Sequence, residues 1–586
     1  MVLTITMMLQ SCKKSSPTDN TNNPGGGTTT TTTTPGNGTG TNGAIVAGTD
    51  PAVATTQGFF LDSWAAKTWS TPSSTLTAPK QSTSGAVEVS VDLSQVITKI
   101  STIMYGNNTN PYMGQYVTEP VLMNNLSTFA PKVLRAPGGS LSDVYFWNGN
   151  GTAPVAPTDA PLNLLDGNGI GSPAYYWFGN NPASFTFTLD NYYKVLQQTG
   201  STGLITVNYG YARYGTSAHP DQTAAHLAAN WVRYDKGKTQ YWEVGNECYG
   251  NWEAGYRIDV GKNKDGQPEF ITGTVYGTHF KVFADSMRAA AAEVGNANIK
   301  IGIVLTTDND VNNNAGVKNW NADVLKAAGN SADYFVVHNY YTPYNENSTP
   351  ATIFTSAGNG TASMMNWVKT SAQNANVNLK PVAMDEWNMF ASGSGQNVSN
   401  IAGLHAVMVL GEALKNQISL ATRWDLANGW SGGDDHGLFN IGDEPNATKW
   451  NARPSYYYMW FFKNYIGDRL VASSVTNNGY ITSYGSTFSS GQAGVILVNQ
   501  GSTDQVVKVT FKNYLTGTNY YYWELNGGTD NVPFSRKVYV NGTGPAGVSG
   551  GPANFNSIAP IVQTIAGGIT TVVPAYGAVF LVADKQ

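Results

Sequence analysis

The run QYWEVGNECYGNW, Gln240 to Trp252, places an ionisable carboxylate, Glu247, just past an apolar, β-favouring stretch and crowds it with glycines and rings. A carboxylate there is either a salt-bridged structural group or a general acid held at an unusual pKa. The choice depends on a second carboxylate and on a fold that brings the two together. A second one exists: KPVAMDEWN, ending at Asn388, closes another apolar run with Glu386.

Both runs belong to a series of short apolar segments: STIMYG ending at Gly106, KVLRAP at Pro137, GLITVNYG at Gly210, QYWEVGNE at Glu247, IKIGIVLT at Thr306, DYFVVHNY at Tyr340, KPVAMDEWN at Asn388 and ISLATRWDL at Leu426. Apolar on both faces, they read as buried parallel strands. Amphipathic stretches lie between several of them. DQTAAHLAANWVRY gathers Ala224, Leu227, Ala228 and Trp231 on one face, and PSYYYMWFFKNYI opens with a proline suited to a helix start. Eight such repeats predict an α/β fold, a (β/α)8 TIM barrel over residues 101–466. From residue 467 to 586 the texture changes to short strands between Gly, Asn and Thr turns, such as AGVILVNQ and YGAVFLVAD. That predicts a C-terminal antiparallel β-sandwich domain, with the 58–100 segment, which contains VEVSVDL, contributing to it.

The N-terminus, MVLTITMMLQSCKKSS, has an apolar stretch too short to span a bilayer. LQSC resembles a lipobox, so residues 1–12 read as a lipoprotein signal peptide with lipid attached to Cys12. Residues 13–57, rich in Thr, Gly and Asn, read as a disordered tether. The expected location is a bacterial cell envelope, periplasmic or surface-exposed, with the membrane as partner through that anchor. Charged residues are only 12% of the 586, and the net charge is −5. With no basic run carrying interleaved aromatics, nucleic acid is excluded as a partner. Cys12 and Cys248 stand in such different contexts that no disulfide is expected, and Cys248 reads as a small buried hydrophobe.

In a (β/α)8 barrel the chemistry sits at the C-terminal ends of the strands, so Glu247 on the fourth and Glu386 on the seventh would face one axial cleft. Two carboxyl groups about 5 Å apart perform retaining glycoside hydrolysis, which needs no metal and no cofactor. Like charge and burial would raise the pKa of the acid. WEVGNECYGNWEAG and MDEWN resemble the acid/base and nucleophile segments of α-L-arabinofuranosidases of glycoside hydrolase family 51, as do LRAPGGSLSDVYFW and DYFVVHNYY for other family segments. The resemblance implies Glu247 as acid/base, Glu386 as nucleophile and Asn246 as a sugar contact. It also implies Arg135 beside the nucleophile, His338 and Tyr340 as hydrogen-bonding partners near it, and Trp387 following it.

Two positions leave substrate open. MYGNNTNPYMG carries Asn107 and Asn108, with no acid, where the family has a sugar-binding glutamate after the first strand. TRWDLANGW offers Trp424, more typical of relatives that cleave β-linked glucans or xylans. The leading expectation is an α-L-arabinofuranosidase acting on polysaccharide. An endo-β-glycanase of glucanase or xylanase type and, in another class, a surface glycan-binding lipoprotein stand as alternatives. Trp147, Trp177, Trp252, Trp424 and Trp430 are candidate stacking platforms. DNDVNNN, from Asp308, alternates oxygen side chains as a calcium loop would, but lacks the glycine and closing glutamate of one and reads as a solvated loop. GGDDHG, with Asp434 and His436, reads as a rim loop of the cleft.

Overall fold

A computed structural model describes residues 45–150, 156–308, 317–476, 478–530 and 532–586. Cys12, the signal segment and most of the tether lie outside the described residues, as does nearly all of the loop after Asp308.

Eight parallel strands close into a barrel. They are β1 (Gly106–Asn108), β2 (Val133–Ala136), β3 (Thr202–Val207), β4 (Thr239–Val244), β5 (Lys300–Val304), β6 (Tyr334–Tyr340), β7 (Val382–Asn388) and β8 (Leu420–Arg423). Each strand runs beside the next and β8 pairs β1, with Thr422 opposite Gly106. β1 starts where the apolar pattern of STIMYG ends. Thr102–Met104 instead form a 3-10 turn whose start is capped by the Ser101 hydroxyl, which accepts from the Ile103 amide. Asn107 and Asn108 therefore sit in the barrel wall, fully buried.

Local chemistry explains the helix boundaries. Pro220 and Pro454 occupy the first turns of Pro220–Asp235 and Pro454–Tyr465, where the missing N–H costs nothing. Ser399 caps Asn400–Lys415 by accepting from the Ala402 amide. Helices Pro120–Phe129 and Leu189–Thr199 follow β1 and β2.

The second unit is an eleven-stranded, mainly antiparallel sheet. The long strand Val87–Lys99 enters it before the barrel begins, antiparallel to Arg469–Thr476 and parallel to Gln505–Lys512. The last barrel helix docks on the sheet through rings: Tyr465 stacks on Trp523 at 3.9 Å and Phe461 meets Phe580 at 5.5 Å.

Where composition extends the tether to residue 57, the chain is already docked from Asp50 onward. Asp50 pairs with Arg469 at 2.5 Å, and the buried Gln57 amide donates to Thr98 and Ser419 at 2.8 Å each. Phe60 follows, fully buried against Tyr241 and Tyr334, residues of β4 and β6. Polar side chains with defined partners order this segment despite its low-complexity look. Among the described residues no helix is long and apolar enough to cross a membrane.

Candidate active site

The C-terminal ends of β6 and β7, which carry His338 and Glu386, and the loop that leaves β4, which carries Glu247, bring the three into one cluster. One ligand-type atom from each lies within 4.8 Å of the others, so the two glutamates present oxygens to a common point. Glu247 is held in the left-handed region, φ 40°, an arrangement that costs a side-chain-bearing residue about 1 kcal/mol or more and concentrates at functional sites. The preceding turn needs Gly245 (φ 78°), where a Cβ would stand 2.4 Å from the Cys248 sulfur. Cys248 is accordingly a buried packing residue.

Each glutamate has its own set of donors. Glu386 Oε2 accepts from Arg135 Nη1 at 3.0 Å, and Oε1 accepts from the Tyr340 hydroxyl at 2.8 Å. Glu247 Oε2 accepts from the Trp252 indole N–H at 3.0 Å, and Oε1 lies 3.0 Å from His338 Nδ1. Trp252 thus serves the carboxylate directly. Asn246 is fixed at both ends of its amide: Oδ1 accepts from Arg135 Nη2 at 2.8 Å and Nδ2 donates to Glu253 at 2.9 Å. Asn108 holds the same guanidinium, its Oδ1 accepting from Arg135 Nη1 at 2.8 Å. It acts inside the wall, behind the carboxylates.

Beneath the two glutamates lies a second layer of acids. Nε and Nη2 of Arg135 lie 2.7 and 2.5 Å from Glu243 Oε1, and His338 Nε2 lies 3.4 Å from Asp385 Oδ1. Burial drives the Glu243 carboxyl well above the ordinary carboxylate range, and Asp385 pushes the same way. For Asp385 burial is outweighed by the Glu243 hydrogen bond, His338 and Arg135, which hold it below its usual range. The two carboxyls are thus pushed in opposite directions. Burial opposes a charge on His338, yet Glu386, Asp385 and Glu247 together raise it well above an ordinary histidine. Glu243 and Asp385 were not singled out from the sequence. The available signal was an acid inside a predicted strand, tolerable only beside a buried cation such as Arg135.

Burial raises Glu386 above its usual 4.5. Glu247 adds to that, while His338, Arg135 and the Tyr340 hydrogen bond oppose it. An ionised Glu386 is therefore lost as pH falls through a value above 4.5. We expect the acid limb of kcat/KM to lie above 4.5. Tyr340→Phe should move that limb up by about one unit, because a hydrogen bond to a charged group is worth about 1.5–3 kcal/mol. An acid limb that does not move would detach Tyr340 from the group that titrates.

By residue type, Glu247, His338 and Glu386 could ligate a metal. The donor set does not fit one. The Arg135 guanidinium already fills the cationic position against Glu386, 3.0 Å from its carboxylate.

The tryptophans divide. Trp424 is 6% exposed and lies over Gly139, where a Cβ would meet its ring at 2.3 Å; Gly139 (φ 66°) and Gly138 (φ 69°) are the glycines of the APGG run. Trp177 meets Tyr112 edge-on at 6.5 Å, and the Tyr112 hydroxyl donates to Asp425 at 2.8 Å. Trp430 lies against the guanidinium groups of Arg453 and Arg536, 5.6 and 5.3 Å from its ring centre. Trp147 stacks on Trp231 at 6.0 Å and donates to the Leu227 carbonyl, away from the carboxylates. Trp387 is buried in the wall beside Glu386. In the rim loop, the His436 ring lies 5.7 Å from Tyr340.

No protein-family model and no curated protein matches the chain. Solved structures do. A family 51 α-L-arabinofuranosidase from Thermotoga petrophila is similar with a TM-score of 0.58 and 17% identity, over 85% of this chain and 100% of that one. A bifunctional glucanase-xylanase from a metagenome library gives 0.55 and 12%, over 86% and 99%. A family 44 xyloglucanase from Paenibacillus polymyxa gives 0.53 and 13%, over 85% and 99%. At these identities the likeness is one of fold: a TIM barrel with an attached β-sheet domain, shared with glycoside hydrolases of both kinds.

Proposed function

We propose that the protein is a retaining glycoside hydrolase with Glu386 as nucleophile and Glu247 as acid/base. The observation that carries this reading is the approach of the two carboxylates, an oxygen of each within 4.8 Å of the other at the C-terminal end of the barrel. Retaining pairs stand roughly 5–5.5 Å apart, whereas inverting pairs leave roughly 6.5–9.5 Å for a water. Glu386 attacks the anomeric carbon as the bond to the leaving oxygen breaks, and the Glu247 proton passes to that oxygen. Glu247 then takes a proton from water, whose oxygen displaces Glu386 from the anomeric carbon. Arg135 and Tyr340 orient the attacking carboxylate, and Trp252 and His338 orient the acid.

Within that class the leading substrate is an α-L-arabinofuranoside, on the strength of the motif resemblance. A β-linked glucan or xylan is the second reading. Asn107 and Asn108 are buried, leaving no acid at the end of β1, and Trp424 over Gly139 supplies an aromatic surface beside β8. A panel of aryl α-L-arabinofuranosides, β-glucosides, β-xylosides and β-cellobiosides, alongside arabinan, xylan and β-glucan with product sizes read out, separates them. Release of single arabinose units supports the first, and a ladder of oligosaccharides supports the second. No turnover on any of them, with binding retained, would replace both with a glycan-binding protein. We further propose a lipid anchor at Cys12: Cys12→Ala should release the protein from host membranes, and a soluble wild type would refute the anchor.

A further inference from the structure

We propose that a cavity of about 340 Å³ among the segments that follow β2, β3 and β4 binds an uncharged saccharide unit on the leaving-group side of the polysaccharide. The inference rests on the reading of Glu247 as the acid. Its proton goes to the leaving oxygen, so the leaving chain departs over the loops around β4. The cavity lies there, between a short hairpin of the β2 excursion, Asn163–Leu165 paired with Gly171–Pro173, and the chain from Gly255 to Asn263 that continues the Glu247 loop.

The hairpin abuts the acid's own support. A Cβ on Gly167 would stand 2.4 Å from the carbonyl oxygen of Asn251, the residue before Trp252, and a Cβ on Gly169 would stand 2.3 Å from the Arg257 guanidinium. The hairpin turn therefore rests on the loop that hydrogen-bonds Glu247.

The lining suits a sugar. Pro161, Leu164, Leu165 and Ile258 offer apolar surface for C–H faces. The charges present are already engaged. Arg257 pairs with Glu269 at 2.6 Å and Lys262 with Asp259 at 3.2 Å, while buried Arg213 donates to Gln267 and to the carbonyls of Gly255, Pro268 and Glu269. Asn263 provides a fixed donor. Its Oδ1 accepts from the amides of Asp265 and Gln267, which sets the amide's orientation and leaves its buried Nδ2 without a protein partner. Leu164 and Leu165 are half-buried, so a sugar ring seated on them would cover apolar surface that water now meets.

Gly171 gives a clean way to fill the space. It is exposed, and the nearest atom to an added Cβ is Leu165 Cδ2 at 3.8 Å, ordinary contact distance. Gly171→Trp and, independently, Leu164→Ser should leave kcat/KM on the best aryl-glycoside within about twofold. Both should lower kcat/KM on the matching hexasaccharide (α-1,5-arabinohexaose, cellohexaose or xylohexaose) by about tenfold, the factor for 1.4 kcal/mol of lost contact. Equal activity on the hexasaccharide, or an equal fall on both substrates, would overturn the inference. Calorimetric titration of Glu386→Ala with the three hexasaccharides tests it apart from catalysis. If no glycoside is turned over, the proposed activity fails, and the cavity stands or falls on whether Gly171→Trp weakens that binding.

Discussion

Glu386→Ala should remove turnover on every glycoside, by at least about 10⁴-fold, because it deletes the carboxylate that forms the glycosyl-enzyme. Glu247→Ala should behave differently. An aryl-glycoside with a good leaving group needs little protonation, so glycosylation of Glu386 survives. The second step then stalls for want of a base, and the covalent intermediate accumulates. Azide requires no deprotonation and should restore turnover of Glu247→Ala, giving a glycosyl azide of retained configuration. Azide entering a Glu386→Ala site should give the opposite anomer. Stopped-flow release of the phenol, with product configuration by NMR, reads both. Equal losses for the two variants on activated and unactivated substrates would break the assignment of separate roles.

Arg135→Leu should have the second-largest effect, and on stability as well as rate. The guanidinium is fully buried and touches Glu243, Glu386, Asn246 and Asn108, all three of its nitrogens being used. Removing it leaves buried carboxylates without their cation, a loss of about 3–5 kcal/mol. Arg135→Lys keeps a charge but cannot reproduce the fork, so it should restore part of the stability and little of the activity. Glu386 loses one of the cations that oppose its burial, so the acid limb of the Lys variant should move upward if the ammonium sits farther from it. Denaturant midpoints and pH–rate profiles check the pair. A Lys variant with full activity would show that a point charge suffices.

Much of this arrangement is legible in the chain. Glu247 follows one apolar run and Glu386 closes another, each reading as a buried strand, and a barrel sends such strand ends to one face. Pro220 and Pro454 mark helix starts through a property of the residue itself. What escapes sequence reading depends on neighbours distant in the chain. The opposed shifts of Glu243 and Asp385 arise because β4 and β7 both face Arg135 inside the barrel, and no local pattern records that meeting. Trp147 has the same local look as Trp252, yet one stacks on Trp231 and the other donates to Glu247. Gln57 sits at the end of a polar, low-complexity run and is buried because Thr98, in the strand Val87–Lys99, and Ser419, just before β8, await it with hydroxyls. The extent of β1 was misplaced for a related reason: Ser101 caps a 3-10 turn over residues whose apolar character reads as strand.

The central claim is that Glu386 becomes covalently glycosylated during turnover. The direct measurement uses activated 2-deoxy-2-fluoro glycosides of the arabinofuranosyl, glucosyl, xylosyl and cellobiosyl series, which slow the second step more than the first. Intact mass should rise by one glycosyl unit with the matching sugar, and peptide mapping should place it on the Glu386 side chain. Glu386→Ala should stay unlabelled. Label on another residue, or active protein that releases product of inverted configuration and forms no adduct, would contradict the account.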